Sequence, residues 1–249
     1  MPFINVKGTS IHYYQHPTDN VNPGSLLFIH GSGGSSEVWH HQMNLDRNIY
    51  ALDLPGHGQS EGTAMSSIKE AADFVAHFLA EVQLPQPLYL IGHSMGSAIA
   101  ITCALHYPEI LDGIILMGAG QRMKVMPAFL DNLSQGRNDP DFIRMGFSPQ
   151  APETIVEERV KAFADVPPPV LYADFSACNN FDVSQEVEKI MLPTLIIVGA
   201  DDKFIPPKLS QYLSNNIKNN RLEIIPDCGH FLMLEKPEVL NRLILEFIN

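Results

Sequence analysis

The sequence is poor in cysteine, and its three cysteines show no functional spacing. Cys103, Cys178 and Cys228 are an odd number without a C-x-x-C pair. Neither a disulfide framework nor a thiolate metal site is therefore predicted. Cys228 precedes His230 by two residues, but we interpret it, like the other two, as a reduced and partly buried structural thiol.

Positive charge and long apolar runs are also scarce. Lys and Arg number 16 against 28 Asp and Glu, which gives a formal charge of −12 at pH 7. Such a charge repels nucleic acid. No run approaches the roughly 18 apolar residues of a membrane span, and residues 1–7 lack a basic segment followed by an apolar one. We expect a cytoplasmic protein with neither nucleic acid nor membrane as a partner.

The chain does contain an alternation of strand-like and helix-like segments. Its residues are 45% hydrophobic and 18% charged, as in folded globular proteins. Short apolar runs alternate with helical stretches, which predicts a parallel sheet with helices on both faces. These runs are residues 26–29, 49–54, 88–91, 114–117, 195–198 and 222–225. Residues 3–6 and 11–14 predict an antiparallel hairpin at one sheet edge.

Helical periodicity divides the rest of the chain. Residues 68–82 have helical period and are preceded by Ser67, which forms a capping box with Glu70. The last helix is predicted to begin near Pro237. Residues 119–189 break the alternation and are predicted to be a mostly helical insertion. The predicted organisation is thus a core of residues 1–118 and 190–249 with an insertion of residues 119–189.

The clearest chemical motif follows the strand predicted at residues 88–91. Gly92-His93-Ser94-Met95-Gly96 matches G-x-S-x-G between a strand and a helix. The serine in such a sharp turn has an exposed Oγ, and small residues on either side keep the neighbouring backbone from colliding. The motif indicates that Ser94 is a nucleophile.

With this motif the sequence resembles the α/β-hydrolase superfamily over nearly the whole chain apart from the insertion. The resemblance implies an α/β fold with a mostly parallel eight-stranded sheet, helices on both faces and a helical cap formed by residues 119–189. It also implies that an acid and then a histidine follow the serine, each on a loop after a late strand.

Two later loops match that order. The strand at residues 195–198 leads to Asp201 and Asp202, and the strand at 222–225 leads to His230. A serine hydroxyl needs an imidazole to take its proton, and the imidazole needs a carboxylate to fix its tautomer. Both aspartates are candidates for the carboxylate that fixes the histidine tautomer. The family spacing G-x-x-D-x-x-x-P fits Asp202, which we prefer to Asp201.

The resemblance also implies groups that stabilise the tetrahedral oxyanion, which needs preorganised donors. One is the Met95 N–H, and the other is the Ser32 N–H in the loop of residues 30–34. His30 is expected to brace that loop, and His57 to belong to a glycine-rich turn. The residues expected to line the substrate site are Gly31, His93 and Phe231.

These features predict a serine hydrolase that cleaves carboxylic esters of small to medium apolar acyl groups through an acyl-enzyme at Ser94. It is expected to act on small-molecule esters as a monomer or homodimer, without a metal or other cofactor. Thioesters, monoglycerides and lactones would use the same machinery. The Met and Phe side chains of residues 119–189 either line an acyl pocket or form the insertion's own core.

Three other functions stay open at this point. One is hydrolysis of a carbon–carbon bond, another is a cofactor-free perhydrolase, and a third is a non-catalytic ligand receptor on the same fold. Relatives that cleave carbon–carbon bonds usually have a tryptophan where this chain has Phe231. They also carry an arginine in the cap or core, but the sequence does not place its candidates, which are Arg122, Arg137, Arg144 and Arg159.

Overall fold

The computed structural model describes residues 2–18 and 24–249. The strands are β1 (Phe3–Val6), β2 (Thr9–His16), β3 (Ser25–Ile29), β4 (Asn48–Leu52), β5 (Leu88–His93), β6 (Gly113–Met117), β7 (Thr194–Gly199) and β8 (Asn220–Ile225). The helices are α1 (Ile68–Val82), α2 (Met95–His106), α3 (Pro127–Ser134), α4 (Glu153–Ala164), α5 (Pro168–Asn180), α6 (Pro207–Asn216), α7 (Leu232–Glu235) and α8 (Pro237–Ile248). Short 3-10 helices cover Ser36–Trp39, Pro108–Ile110, Pro140–Gly146 and Val187–Lys189.

The strands form one sheet in the order β1-β2-β4-β3-β5-β6-β7-β8. The pairs β1–β2 and β2–β4 are antiparallel, and all the remaining pairs are parallel. The predicted edge hairpin and the predicted α/β fold with a mostly parallel eight-stranded sheet are confirmed. Because the carboxyl ends of parallel strands share one edge, the loops that follow β3, β5, β7 and β8 meet there.

Alternate residues of the central strands pack into two separate apolar layers. Leu116 of β6 lies in one cluster with the buried faces of α1 and α2. Its neighbour Ile115 lies in another cluster, with Trp39 and the buried face of α8. Successive side chains of a strand point to opposite faces, so helices cover both faces of the sheet.

The last strand departs from the prediction that helices cover both faces of the sheet. Side chains of β8 are mostly half-buried or exposed, and Ile224 is 48% exposed. This strand lies at the edge of the sheet, where it has a neighbouring strand on one side only and the helical cover is incomplete.

The helix boundaries agree closely with the sequence patterns. The Ser67 side chain accepts the N–H of Glu70 at 3.2 Å, and α8 begins at Pro237. The Glu70 carboxylate accepts the N–H of Ser66 instead of that of Ser67, so only half of the expected capping box forms. No helix in residues 2–18 and 24–249 is long and apolar enough to span a membrane.

Residues 119–189 lie between β6 and β7 and add no strand to the sheet. Their two ends are joined by an isolated antiparallel bridge between Arg122 and Asp182, and the Val183 N–H donates to the Gln121 carbonyl at 2.9 Å. We call residues 119–189 the insertion. The division into core and cap stays a prediction, and residues 1 and 19–23 of the predicted core lie outside the described residues.

Ile115 provides a test of the packed sheet. It is fully buried in β6, between β5 and β7. Replacing it by Ala removes apolar contacts and leaves a cavity, so Ile115→Ala should lower the free energy of unfolding by roughly 2–5 kcal/mol in urea titrations. Met191→Ala is the control, because Met191 is 66% exposed and its change should stay within about 0.5 kcal/mol. Equal effects of the two substitutions would contradict this account of the core.

Candidate active site

Ser94 occupies a strained turn between β5 and α2. Its backbone has φ 53° and ψ −115°, a region that side-chain-bearing residues rarely adopt. A Cβ on Gly92 would lie 2.0 Å from the Gly96 carbonyl oxygen, and one on Gly96 would lie 2.2 Å from the Ile29 carbonyl oxygen. Both positions therefore require glycine, and together they allow a turn that projects the serine from the end of the strand.

His230 and Asp202 are in direct contact. His230 Nδ1 lies 2.7 Å from Asp202 Oδ2, and both side chains are buried. The other carboxylate oxygen accepts the N–H groups of Phe204 and Ile205 at 2.9 and 2.8 Å, which fixes the carboxylate in place. Because a carboxylate accepts, the proton of a neutral imidazole sits on Nδ1 and the Nε2 lone pair is free.

Asp201, the competing aspartate, is engaged elsewhere. Its Oδ2 accepts the hydroxyl of Ser148, in the insertion, at 2.7 Å. The two adjacent side chains therefore point to different partners, and the structure brings Asp202 to His230. That is the arrangement preferred from the family spacing.

The backbone around His230 is held on several sides. His93 Nε2 donates to the His230 carbonyl at 2.9 Å, and the His230 N–H donates to the Gly146 carbonyl at 2.6 Å. The Glu235 carboxylate accepts the N–H groups of Gly229 and Phe231, at 2.9 and 3.1 Å. These bonds position the histidine loop against both the serine turn and the insertion.

One cavity of about 140 Å³ joins most of the predicted site residues. Those that line it are Ser94, His230, Gly31, Ser32, His93 and Phe231. Asp202 lies behind His230. The Met95 side chain lines a different small pocket, so only the backbone N–H of Met95 is relevant to its predicted role as an oxyanion donor. His93 lines the cavity, but its Nε2 is already engaged with the His230 carbonyl.

The groups that would react face this cavity without being bonded to one another. The Ser94 hydroxyl makes no hydrogen bond to the His230 ring in this structure, and such bonds are often long until substrate is bound. The N–H groups of Ser32 and Met95 likewise donate to no group of the described residues. They are the two donors predicted for the oxyanion.

The apolar side chains of the insertion lie in two different environments. The insertion's Met and Phe residues that line the cavity are Met123, Met126, Phe142, Met145 and Phe175. Others, such as Phe129 and Phe163, are buried in the cluster that includes Trp39. The ring of Phe142 stacks on those of Phe129 and Phe204, at centroid distances of 4.0 and 4.9 Å. The Met and Phe side chains of the insertion are thus divided between the cavity wall and a buried cluster shared with the sheet, and whether the cavity binds an acyl group stays a prediction.

Three charged residues lie close to the site: the sequence did not indicate Glu235 and Asp174, and it named Arg159 only as one of four arginines that it could not place. Glu235 holds the histidine loop, Arg159 lines the cavity, and Asp174 accepts the Gly33 N–H at 2.8 Å. All three lie on helices, where a charged residue carries no local signal of its partner. No group of three or more His, Cys, Asp or Glu side chains in the described part of the chain is arranged to hold a metal ion.

Comparison with known proteins identifies the class of protein. Residues 26–243 match the model of the alpha/beta hydrolase family, which is well over half of the chain. The chain therefore belongs to the alpha/beta hydrolase family.

Individual relatives carry different names. The chain is 27% identical to the 2-hydroxy-6-oxononadienedioate/2-hydroxy-6-oxononatrienedioate hydrolase of Burkholderia vietnamiensis, over 99% of this chain and 94% of that protein. It is 25% identical to the human monoacylglycerol lipase ABHD6, over 90% of this chain and 75% of that protein. A solved structure described as a thermophilic esterase superposes with a TM-score of 0.85 and 30% identity, over 99% of this chain and 96% of the other.

The cysteines provide a test of the site's chemistry. Cys178 lines the cavity, where its Sγ lies 3.6 Å from Ser32 Oγ, and burial raises its pKa to about 12. Burial also raises the pKa of Cys103 and Cys228. The thiolate is the reactive form, so at pH 8 the folded protein should react with a chromogenic disulfide reagent roughly 100-fold or more slowly than free cysteine.

The unfolded protein is the control for this measurement. In guanidinium chloride all three thiols should react at once, since unfolding removes the burial that raises their pKa values. One equivalent of rapid reaction in the folded protein would instead reveal an activated thiol in the cavity.

Proposed function

We propose that this protein hydrolyses carboxylic esters with short, apolar acyl groups, using Ser94 as nucleophile, His230 as general base and Asp202 to orient the histidine. The observation that carries the proposal is the His230–Asp202 contact of 2.7 Å beside a cavity that the strained Ser94 shares. A serine in a strained turn and a histidine with a fixed tautomer are what acyl transfer needs.

The reaction follows from these positions. Ser94 Oγ attacks the ester carbonyl while its proton passes to His230 Nε2. The Ser32 and Met95 N–H groups would donate to the oxyanion of the tetrahedral intermediate. Collapse of the intermediate breaks the ester bond, and the alcohol leaves with the proton from His230. Water then repeats the sequence on the acyl-enzyme and releases the acid.

The cavity supports a short acyl group. Its volume of about 140 Å³ is close to that of an engineered apolar cavity that holds benzene, about 150 Å³. Phe142 and Phe175 line it, and Phe204, also in its wall, lies 5.3 Å from the His230 ring between centroids. Longer chains would have to displace stacked aromatic rings or reach out of the cavity.

The insertion is proposed to act as a cap over the serine. Met126 and Met145 line the cavity and are also 50% and 44% exposed, so they lie at its mouth. Flexible methionine side chains adapt to differently shaped apolar ligands. The monoacylglycerol lipase and esterase names of the relatives agree with ester hydrolysis and do not fix the substrate.

Substitution of the three proposed catalytic residues tests this function. Ser94→Ala, His230→Ala and Asp202→Asn should each reduce kcat by roughly 10⁴-fold or more, because the groups act as a unit. The measurement is pre-steady-state hydrolysis of p-nitrophenyl esters of increasing chain length. The wild-type rate should be highest for short chains and fall once the cavity is filled.

Asp201→Asn is the matched control for Asp202→Asn. The two residues are adjacent, but Asp201 bonds to Ser148 and should leave kcat within about threefold. Full activity of Ser94→Ala would show that the mechanism is wrong. A wild-type protein that cleaves no ester would favour carbon–carbon bond hydrolysis or a receptor role.

Arg159 favours a second candidate, a hydrolase for substrates that carry a carboxylate. Its guanidinium lines the cavity, packs over the rings of Phe163 and Phe231, and has a buried Nε without a hydrogen-bond partner. Burial lowers its pKa to about 10, so the group stays charged at neutral pH. No described carboxylate forms an ion pair with it.

A half-buried cation without a counter-ion has lost part of its hydration, and a substrate carboxylate would neutralise it. The Burkholderia relative is named for dioates, which carry two carboxylates. Carbon–carbon bond hydrolysis of a carboxylate-bearing substrate therefore belongs to this second candidate, alongside cleavage of an ester with a free acid group.

Arg159→Gln tests the second candidate through a ratio of rates. The ratio of kcat/KM for mono-4-nitrophenyl succinate to that for 4-nitrophenyl butyrate should fall roughly 10–100-fold, the loss expected for a charge-assisted hydrogen bond. A ratio cancels effects on the common chemistry. Arg137→Gln is the control, because exposed Arg137 bonds only to Asn132 within the described residues. An unchanged ratio in Arg159→Gln would remove this candidate.

A further inference from the structure

The loop of residues 30–34 is held by two charged side chains from the insertion. Asp174 of α5 accepts the Gly33 N–H at 2.8 Å, and Arg159 of α4 donates to the Gly33 carbonyl at 3.1 Å. Gly33 directly follows Ser32, the proposed oxyanion donor. The N–H and the carbonyl of Gly33, next to that donor, are therefore both bonded to helices of the insertion.

The insertion also packs against this loop without space to spare. Gly33 has φ +59°, and a Cβ there would lie 2.5 Å from Leu171 Cδ2 and 3.0 Å from Phe163 Cε2. Glycine adopts this positive φ without strain, and it has no Cβ that would collide with these two side chains. The position of the loop therefore depends on the position of α4 and α5.

Asp174 is shared between this loop and a buried histidine. The oxygen that accepts the Gly33 N–H lies 2.9 Å from His57 Nε2, and His57 Nδ1 lies 3.1 Å from the Pro55 carbonyl oxygen. A carbonyl only accepts, so both ring nitrogens donate and His57 is an imidazolium. Burial acts to lower the pKa of His57, but the charge and hydrogen bond of Asp174 outweigh it and the pKa is raised.

The neighbouring histidine is in the opposite state. The rings of His30 and His57 lie 4.9 Å apart. His30 Nε2 accepts the Leu54 N–H at 3.2 Å and Nδ1 donates to the Gly31 carbonyl at 2.9 Å, which requires a neutral ring. Burial and the nearby charge of His57 lower the pKa of His30 to about 4.

His30 thereby orients the oxyanion donor itself. The Gly31 carbonyl and the Ser32 N–H belong to one planar peptide unit and point in opposite directions. A bond that fixes the carbonyl therefore fixes the N–H. The next peptide unit contains the Gly33 N–H, which Asp174 holds. Two successive peptide units are fixed, one by a neutral histidine and one by a carboxylate.

We propose that Asp174 is a positioning residue for catalysis: its carboxylate holds the Gly33 N–H, pairs with the His57 imidazolium, and so directs the Ser32 N–H toward the oxyanion formed at Ser94. This inference rests on the proposed function. An oxyanion donor is effective only within about 2.7–3.1 Å of the developing charge, so a small rotation of the loop is enough to weaken it. The insertion thus acts on the rate of the chemical step as well as on substrate access.

Two substitutions separate the charge of Asp174 from its hydrogen bonds. Asp174→Asn keeps an acceptor for the Gly33 N–H and removes the charge, whereas Asp174→Ala removes both. With 4-nitrophenyl butyrate, Asp174→Ala should lower kcat roughly 100-fold with KM within about threefold, and Asp174→Asn should lower it less. Asp131→Asn and Asp131→Ala are the matched controls, because Asp131 is exposed on α3 and touches no part of the loop.

The ionisation of His57 is a second readout, independent of ester turnover. The groups that face His57 are Asp174 on α5, His30 after β3 and Asp53 after β4, and Arg159 lines the cleft beside it. NMR titration of the histidine Cε1–H resonances should show a high His57 pKa in the wild type. In Asp174→Asn that pKa should fall below its ordinary value, because burial is then no longer offset.

The outcomes distinguish this inference from the proposed function. A folded Asp174→Ala protein with kcat within twofold of the wild type, or an unchanged His57 titration in Asp174→Asn, overturns the inference. If Asp174→Ala does not fold, Asp174→Asn decides through the same two measurements. If the wild-type protein cleaves no ester, the proposed function fails. The His57 titration and the change in the Gly33 amide chemical shift between the wild type and Asp174→Asn then decide whether Asp174 holds the loop.

Discussion

The rest of the site depends on the close approach of three backbone segments at the serine turn. Gly92 and Gly96 let β5 and α2 come within contact of each other, and Gly96 also sets the start of α2 against the end of β3. The loop that contains Ser32 begins at that end of β3. One steric constraint therefore fixes both the strained serine and the starting point of the loop that carries the proposed oxyanion donor.

Around this turn, two buried His–Asp contacts reach different charge states. His230 and Asp202 leave Nε2 facing a cavity, so the histidine can accept a proton. At His57, Asp174 occupies one ring nitrogen and a carbonyl the other, so the ring holds its proton. The same pair of residue types thus leaves one ring nitrogen able to accept a proton in one place and forms a fixed ion pair in the other. What differs is the partner of the second ring nitrogen.

Much of this could be predicted because it depends on local rules. The alternation of apolar runs identified the strands, and G-x-S-x-G between a strand and a helix identified Ser94. The resemblance to the α/β-hydrolase superfamily, through its order of loops and its spacing, implied His230 and the preference for Asp202. Asp174 and Glu235 were not predicted, and Arg159 was only one of four candidate arginines, because each is a charged residue on a helix and its partner lies elsewhere in the chain. The exposure of β8 was not predicted either, since an apolar run does not show whether its strand lies at a sheet edge.

By itself the sequence determined the order of strands and helices, the turn that carries Ser94, and the loops that carry its proposed partners. The elements and the turn follow from apolar periodicity and from backbone stereochemistry within a few residues, whereas the partner loops follow from the family resemblance. Only the tertiary structure decided that Asp202 faces His230 while Asp201 faces the insertion, and that Asp174 and Arg159 hold the loop at Gly33. Those contacts join residues far apart in the chain, and packing, solvent exclusion and buried charge select them together.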